Sequence, residues 1–133
     1  YNNTQGWQSG TDAGATKFHG TNGLVLRGNT VANNTSKGLW VDFDNINVTY
    51  ENNVVENNAL MGILHEVSCA AVIRYNVLRG NNSANAGQSL STGAQLFTRS
   101  SKPPPLVGWK PCAHSEAVDR MEVVSVGTLP KIG

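Results

Sequence analysis

Gly28-Asn29-Thr30-Val31-Ala32-Asn33-Asn34 returns as Asn52-Asn53-Val54-Val55-Glu56-Asn57-Asn58, and again as Tyr75-Asn76-Val77-Leu78-Arg79-Gly80-Asn81. Asn29 to Asn53 is a step of 24 positions and Asn53 to Asn76 a step of 23. Gly14, Gly38 and Gly62 keep the step of 24. Self-similarity at a fixed period means one supersecondary unit stacked on copies of itself, because a single unit cannot bury its own apolar face.

Outward from that repeat, Leu39, Val41 and Phe43 alternate with Trp40, Asp42 and Asp44, the period of a half-buried strand. Asp44-Asn45 supplies a turn. Val48 and Tyr50 share the next apolar face, and Asn53 is read as the corner residue because Asn tolerates the left-handed region. Val54-Val55-Glu56 is a third short strand. Three short strands and three corners per repeat describe one coil of a parallel β-helix. In the following coil Ile63 falls under Leu39 and Val67 under Phe43. Ala71 and Ile73 fall under Val48 and Tyr50, and Leu78 falls under Val55. Leu24, Leu26 and Val31 hold the same inward stations in the coil before. Asparagines at a shared corner then bond from coil to coil, whereas so much Asn, Gly and β-branched residue opposes helical repeats. The expected fold is all-β: a right-handed parallel β-helix of about three coils with an irregular C-terminal tail.

The chain has 133 residues, enough for one domain with a moderate core. Charged residues are 14% and the net charge is +1, which points away from nucleic acid and from an anionic membrane as partners. No apolar run approaches the roughly 18 residues of a membrane span. The polar start Tyr1-Asn2-Asn3-Thr4-Gln5 lacks the pattern of a secretory leader and reads as internal to a longer protein. Of the two cysteines, Cys69 lies among small and apolar neighbours and reads as a buried thiol, with pairing to Cys112 the lesser alternative. No Cys/His set has zinc spacing, and no metal site is expected.

Composition changes near residue 86. All sixteen asparagines lie at or before Asn85 and all five prolines at or after Pro103, so residues 1–85 are assigned to the coils and 86–133 to the tail. Ser100-Ser101-Lys102-Pro103-Pro104-Pro105 reads as an extended linker. Residues 115–122 fit a short helix capped by Ser115, and 123–126 fit an added strand. The tail is expected to be irregular or poorly ordered, with capping of the last coil as the alternative.

Residues 6–85, through Gly38-Leu39-Trp40-Val41-Asp42-Phe43-Asp44-Asn45, residues 50–58 and Gly62-Ile63-Leu64-His65-Glu66-Val67-Ser68, resemble the secreted right-handed parallel β-helix repeat proteins of bacteria, the pectate-lyase-like superfamily. The resemblance implies an extracellular setting and polysaccharide chemistry: lyases, hydrolases or epimerases. Members usually have many more coils, so the chain resembles a piece of one. The Asp-Asp and Gly-His-Gly features of polygalacturonase-type hydrolases do not occur here, which lowers pectin hydrolysis. A lyase of this kind would use an Arg or Lys base, often with Ca²⁺.

With Leu39, Val41 and Phe43 inward, Trp40, Asp42 and Asp44 face out, and Glu66 takes the station beside Asp42 one coil on. Neighbouring parallel strands are about 4.8 Å apart, so Asp42 and Glu66 form a candidate catalytic pair for glycosidic chemistry. Trp40 and Asp44 are candidate substrate-binding residues. The 24-residue step puts Lys17, Val41 and His65 on one inward row, where a lysine is costly. An open coil end or a bulge that turns Lys17 outward would relieve this, and would add Lys17 to the catalytic set as the cation that polarises a uronate. His65 is the fourth candidate, as a general base, against the reading of a satisfied core histidine. Asp42, Asp44 and Glu66 give only a weak Ca²⁺ signal, and no cofactor is expected.

Three readings follow. The chain is part of an extracellular polysaccharide-active protein, a non-catalytic scaffold that binds glycans or partners, or an inert truncated product. Self-association through open coil ends fits all three.

Overall fold

The computed structural model describes residues 13–85, 96–99 and 120–122. Its strands are β1 (Gly14–Phe18), β2 (Val25–Arg27), β3 (Thr30–Ala32), β4 (Lys37–Asp42), β5 (Ile46–Glu51), β6 (Val54–Glu56), β7 (Ile63–Glu66), β8 (Cys69–Arg74), β9 (Val77–Arg79), β10 (Leu96–Arg99) and β11 (Arg120–Glu122). A 3-10 turn, Ser83–Asn85, follows β9. The strands stack into three wholly parallel sheets: A is β1-β4-β7-β10, B is β2-β5-β8-β11 and C is β3-β6-β9. Each turn of the chain visits A, then B, then C, which is the coil of a parallel β-helix.

Rows of like residues fill the interior. Leu26, Tyr50 and Ile73 are in register on sheet B, Val31, Val55 and Leu78 on sheet C, and Leu39 and Ile63 on sheet A; together they make one core. Stacking aligned apolar side chains at the strand spacing removes each row from water, the main favourable term in folding.

The corners follow one rule. A residue in the left-handed region turns the chain, and the next residue sends its side chain inward. Gly28, Asn33, Asp44, Asn52, Asn57, Tyr75 and Gly80 have positive φ, and each is followed by a buried or ladder-forming asparagine: Asn29, Asn34, Asn45, Asn53, Asn58, Asn76 and Asn81. The corner residue is therefore Asn52, at φ +54°, and not Asn53. Asn53 is fully buried and its amide replaces the hydrogen bonds that a sharp corner withholds from the backbone. Its Oδ1 accepts from the Asn29 N–H and Nδ2 at 3.0 and 2.9 Å, and its Nδ2 donates to the Leu26 carbonyl and to Asn76 Oδ1, both at 2.8 Å. Asn34, Asn58 and Asn81 repeat the arrangement one corner on. At the remaining corner Thr21, Asn45 and Ser68 share the task.

Outward faces of sheets B and C carry ion pairs across coils. Glu51 lies between Arg27 and Arg74, and Glu56 pairs with Arg79. The hydrogen bond from Arg74, with Arg27 on the other side, holds the Glu51 carboxyl below the usual carboxylate range against the opposing effect of burial.

Four expectations need correction. Phe43 does not continue the inward row: at φ +53° it lies in a corner, half-buried, with its ring stacked on His19 at 5.1 Å. Cys69 is disulfide-bonded and not a free buried thiol; the only other cysteine, Cys112, lies outside the described residues. Residues 96–99 and 120–122 add strands to sheets A and B. Of the options that the tail's sequence fits, the short helix over 115–122 is a strand where it is described, at Arg120–Glu122, and its other residues, like the linker at 100–105 and the added strand at 123–126, lie outside the described residues.

Candidate functional site

Sheet A brings Lys17, Trp40, Asp42 and Glu66 together on its outward face, and the β1–β4 register that places Lys17 there differs from the expected one. β1 pairs with β4 at a step of 23, so Lys17 stands opposite Trp40 and Phe18 opposite Val41. This one-residue difference reverses the face of every side chain in a strand. Lys17 is therefore outward without a bulge and without an unpaired charge in the core. Its Nζ is 3.0 Å from Asp42 Oδ2, and the pair is partly exposed, at 29% and 19% for the two side chains. Such a pair adds about 0.2–1 kcal/mol to stability, so its main effect is to fix the Asp42 carboxylate.

β4 and β7 pair at the step of 24, which sets Asp42 beside Glu66 and Trp40 beside Leu64. Both carboxyl groups are half-buried on the same outward face. The sequence placed this pair correctly because β4 and β7 alternate without interruption between Leu39 and Asp42.

Trp40 is not an open platform. It is 4% exposed, and Leu64 next to it 2%, although both lie outside the coil interior. Gly14 makes room for the indole: a Cβ there would meet Trp40 Cε3 at 3.4 Å. Lys17 Nζ and Lys37 Nζ lie 4.1 and 4.0 Å from the centre of the ring, both within cation–π range. Among the described residues the buried indole Nε1–H has no hydrogen-bond partner. Lys37 was missed by sequence reasoning. Its signal is the pairing of Lys37 with Gly14, which the equal spacing of Gly14, Gly38 and Gly62 conceals.

Asp44 is exposed at φ +61° in the corner that follows β4, beyond the strand face that carries Asp42 and Glu66. His65 lies inside the coil, 4% exposed, with Nδ1 3.1 Å from the Tyr50 hydroxyl. The structure does not bring it to the outward carboxylates. Burial pushes the Tyr50 phenol far above its ordinary value, so it keeps its proton and donates to Nδ1. Burial pushes the His65 imidazole below its ordinary value, opposed in part by hydrogen bonding to the Ser68 backbone. Among the described residues no three His, Cys, Asp or Glu side chains gather as metal ligands, so Asp42, Asp44 and Glu66 do not assemble the oxygen set of a Ca²⁺ site.

His65 makes the fold sensitive to acid. The unfolded chain takes up the histidine proton near its ordinary pKa of about 6.5, while the folded chain resists it. The stabilisation is therefore complete above that pH and is lost as pH falls below it. Glu51, held low, loses its contribution only at more acid pH. The melting temperature is expected to fall between about pH 7 and pH 5, and His65→Gln, which keeps an acceptor for Tyr50, should flatten that dependence. An equal fall in both proteins would contradict the assignment.

The coiled sheets, corner ladders and outward charged face define a parallel β-helix. Residues 1–103 match the family described as the right-handed β-helix region, and the chain belongs to that family. The match runs beyond Asn85 through the residues of β10. No curated protein and no solved structure matches the chain.

Proposed function

We propose that the chain is part of an extracellular polysaccharide-active protein, a lyase or a glycoside hydrolase, whose working surface is the outward face of sheet A. The supporting observation is the register that sets Asp42 beside Glu66 with Lys17 at 3.0 Å from Asp42. Two adjacent carboxyl groups can divide the roles of proton donor and acceptor across a glycosidic bond. Lys17, next to them, supplies a cation for an acidic sugar. β-helix regions occur in polysaccharide-active proteins and in others, so the fold alone does not select the reaction. A disulfide at Cys69 supports an oxidising, extracellular setting.

The burial of Trp40 and Leu64 favours a second reading, a non-catalytic scaffold that binds a glycan or partner through this face. A panel of acidic and neutral polysaccharides separates the two. A lyase yields unsaturated sugars that absorb in the ultraviolet, a hydrolase only new reducing ends. Cleavage by the parent that disappears in Asp42→Ala/Glu66→Ala is the expected outcome. No cleavage of any substrate, with the variant equally stable, would remove catalysis and leave the scaffold.

A further inference from the structure

The corner between sheets B and C places Gly28, Asn52 and Tyr75 at one station in successive coils, because Arg27, Glu51 and Arg74 before them are in register. All three have positive φ, at 66°, 54° and 56°. Glycine and asparagine suit the left-handed region, whereas a bulky aromatic residue there is strained. Burial does not offset that strain. Trp40 and Tyr50 are buried and Phe18 and Phe43 half-buried, but Tyr75 is 50% exposed. A backbone outlier of this kind points to a task for its side chain.

The ring is also held in place. The Arg74 guanidinium carbon lies 5.8 Å from the ring centre, within cation–π range. That guanidinium is itself fixed, with Nε donating to Glu51 Oε2 at 2.7 Å and Nη2 2.5 Å from the same oxygen. Glu51 is shared with Arg27 of the coil before. Contacts across three coils therefore preset the aromatic plane, which removes part of the ordering cost of binding. One coil away, at a spacing of about 4.8 Å, the station carries the exposed amide side chain of Asn52. At Gly28, one coil further, nothing stands within 4 Å of where a Cβ would be.

A preset ring, an amide and an open floor along the coil axis suit a sugar. A pyranose lays its C–H face on an aromatic ring, and its hydroxyl groups bond to an amide. We propose that the corner at Tyr75 is a glycan-binding site separate from sheet A, with Tyr75 as the stacking platform and Asn52 as the hydrogen-bonding partner. It takes a pyranose chain laid along the coil axis. The site rests on the polysaccharide setting inferred above, but not on catalysis by Asp42 and Glu66.

Amide shift titration of the full chain with a galacturonate hexamer and with a β-linked glucose hexamer tests this. At least one hexamer is expected to move the amides of Gly28, Asn52, Tyr75 and Asn76. Tyr75→Asn installs the residue type of the neighbouring coil. It should weaken that binding about fivefold or more and melt no lower than the parent. Tyr75→Phe keeps the ring and should bind as the parent does. No corner shifts with either hexamer, undiminished binding by Tyr75→Asn, or equal losses in Tyr75→Phe and Tyr75→Asn would overturn the inference. So would a lower melting temperature in Tyr75→Asn, because Tyr75 would then serve the fold. Corner shifts without cleavage of any sugar would remove catalysis at sheet A and leave this site standing; cleavage without corner shifts would do the reverse.

Discussion

Asn53→Ala is expected to destabilise the protein by about 2–4 kcal/mol, a large part of the roughly 5–15 kcal/mol that holds a domain folded. The amide is fully buried and takes part in four hydrogen bonds across three coils. Truncation leaves the Leu26 carbonyl without its donor and removes one of the two donors to Asn76 Oδ1; the other, Asn53 N–H at 3.0 Å, remains. Each buried polar group left unpaired costs about 1–3 kcal/mol, and the small cavity adds about 1 kcal/mol. Asn29 N–H also loses its acceptor, but Asn29 is exposed and water replaces the bond. Asn29→Ala is the control: it stands at the exposed end of the ladder and should cost less than about 1 kcal/mol. Urea unfolding midpoints of the two variants give the comparison. Equal losses would mean that the ladder does not carry the fold.

Gly38→Ala is expected to cost about 3 kcal/mol or more, at the upper end for overpacking. A Cβ at Gly38 would stand 2.7 Å from Val55 Cγ1, 3.1 Å from Asn58 Nδ2, and closer still to the Gly62 carbonyl oxygen. That oxygen accepts Leu39 N–H at 2.9 Å, and Gly38 N–H donates to Met61 at 2.9 Å, so neither strand can retreat without breaking the ladder between coils. Gly28→Ala separates space from conformation. Gly28 has φ +66° with nothing within 4 Å of a new Cβ, so only the left-handed backbone penalty applies, about 1 kcal/mol. Thermal midpoints should rank Gly38→Ala well below Gly28→Ala. The reverse order would place the strain in the turns instead of the coil contact.

The repeat was legible because each asparagine has one permitted station. A buried amide that bonds to the coils on both sides cannot drift by a residue, so the Asn29–Asn53–Asn76 spacing records the coil length directly. Rows of Val, Leu and Ile were legible for the same reason, through strand alternation. The face of Lys17 was not. Gly14, Gly38 and Gly62 are evenly spaced, yet Gly14 pairs with Lys37, and a shift of one residue exchanges inside for outside. Alternation also assigns Trp40 to the outer face without telling what lies against it; two lysines and a covered Leu64 appear only when the coils are assembled. Asn52 and Asn53 could not be told apart by type, since either tolerates the corner. Only the direction of the second side chain, into the coil, distinguishes them.

Amide shift mapping during titration with oligosaccharides from the polysaccharide panel tests most directly whether sheet A is the working surface. Shifts concentrated at Lys17, Asp42, Leu64 and Glu66 are the expected result. Shifts confined to sheets B and C, or none with any sugar, would contradict it.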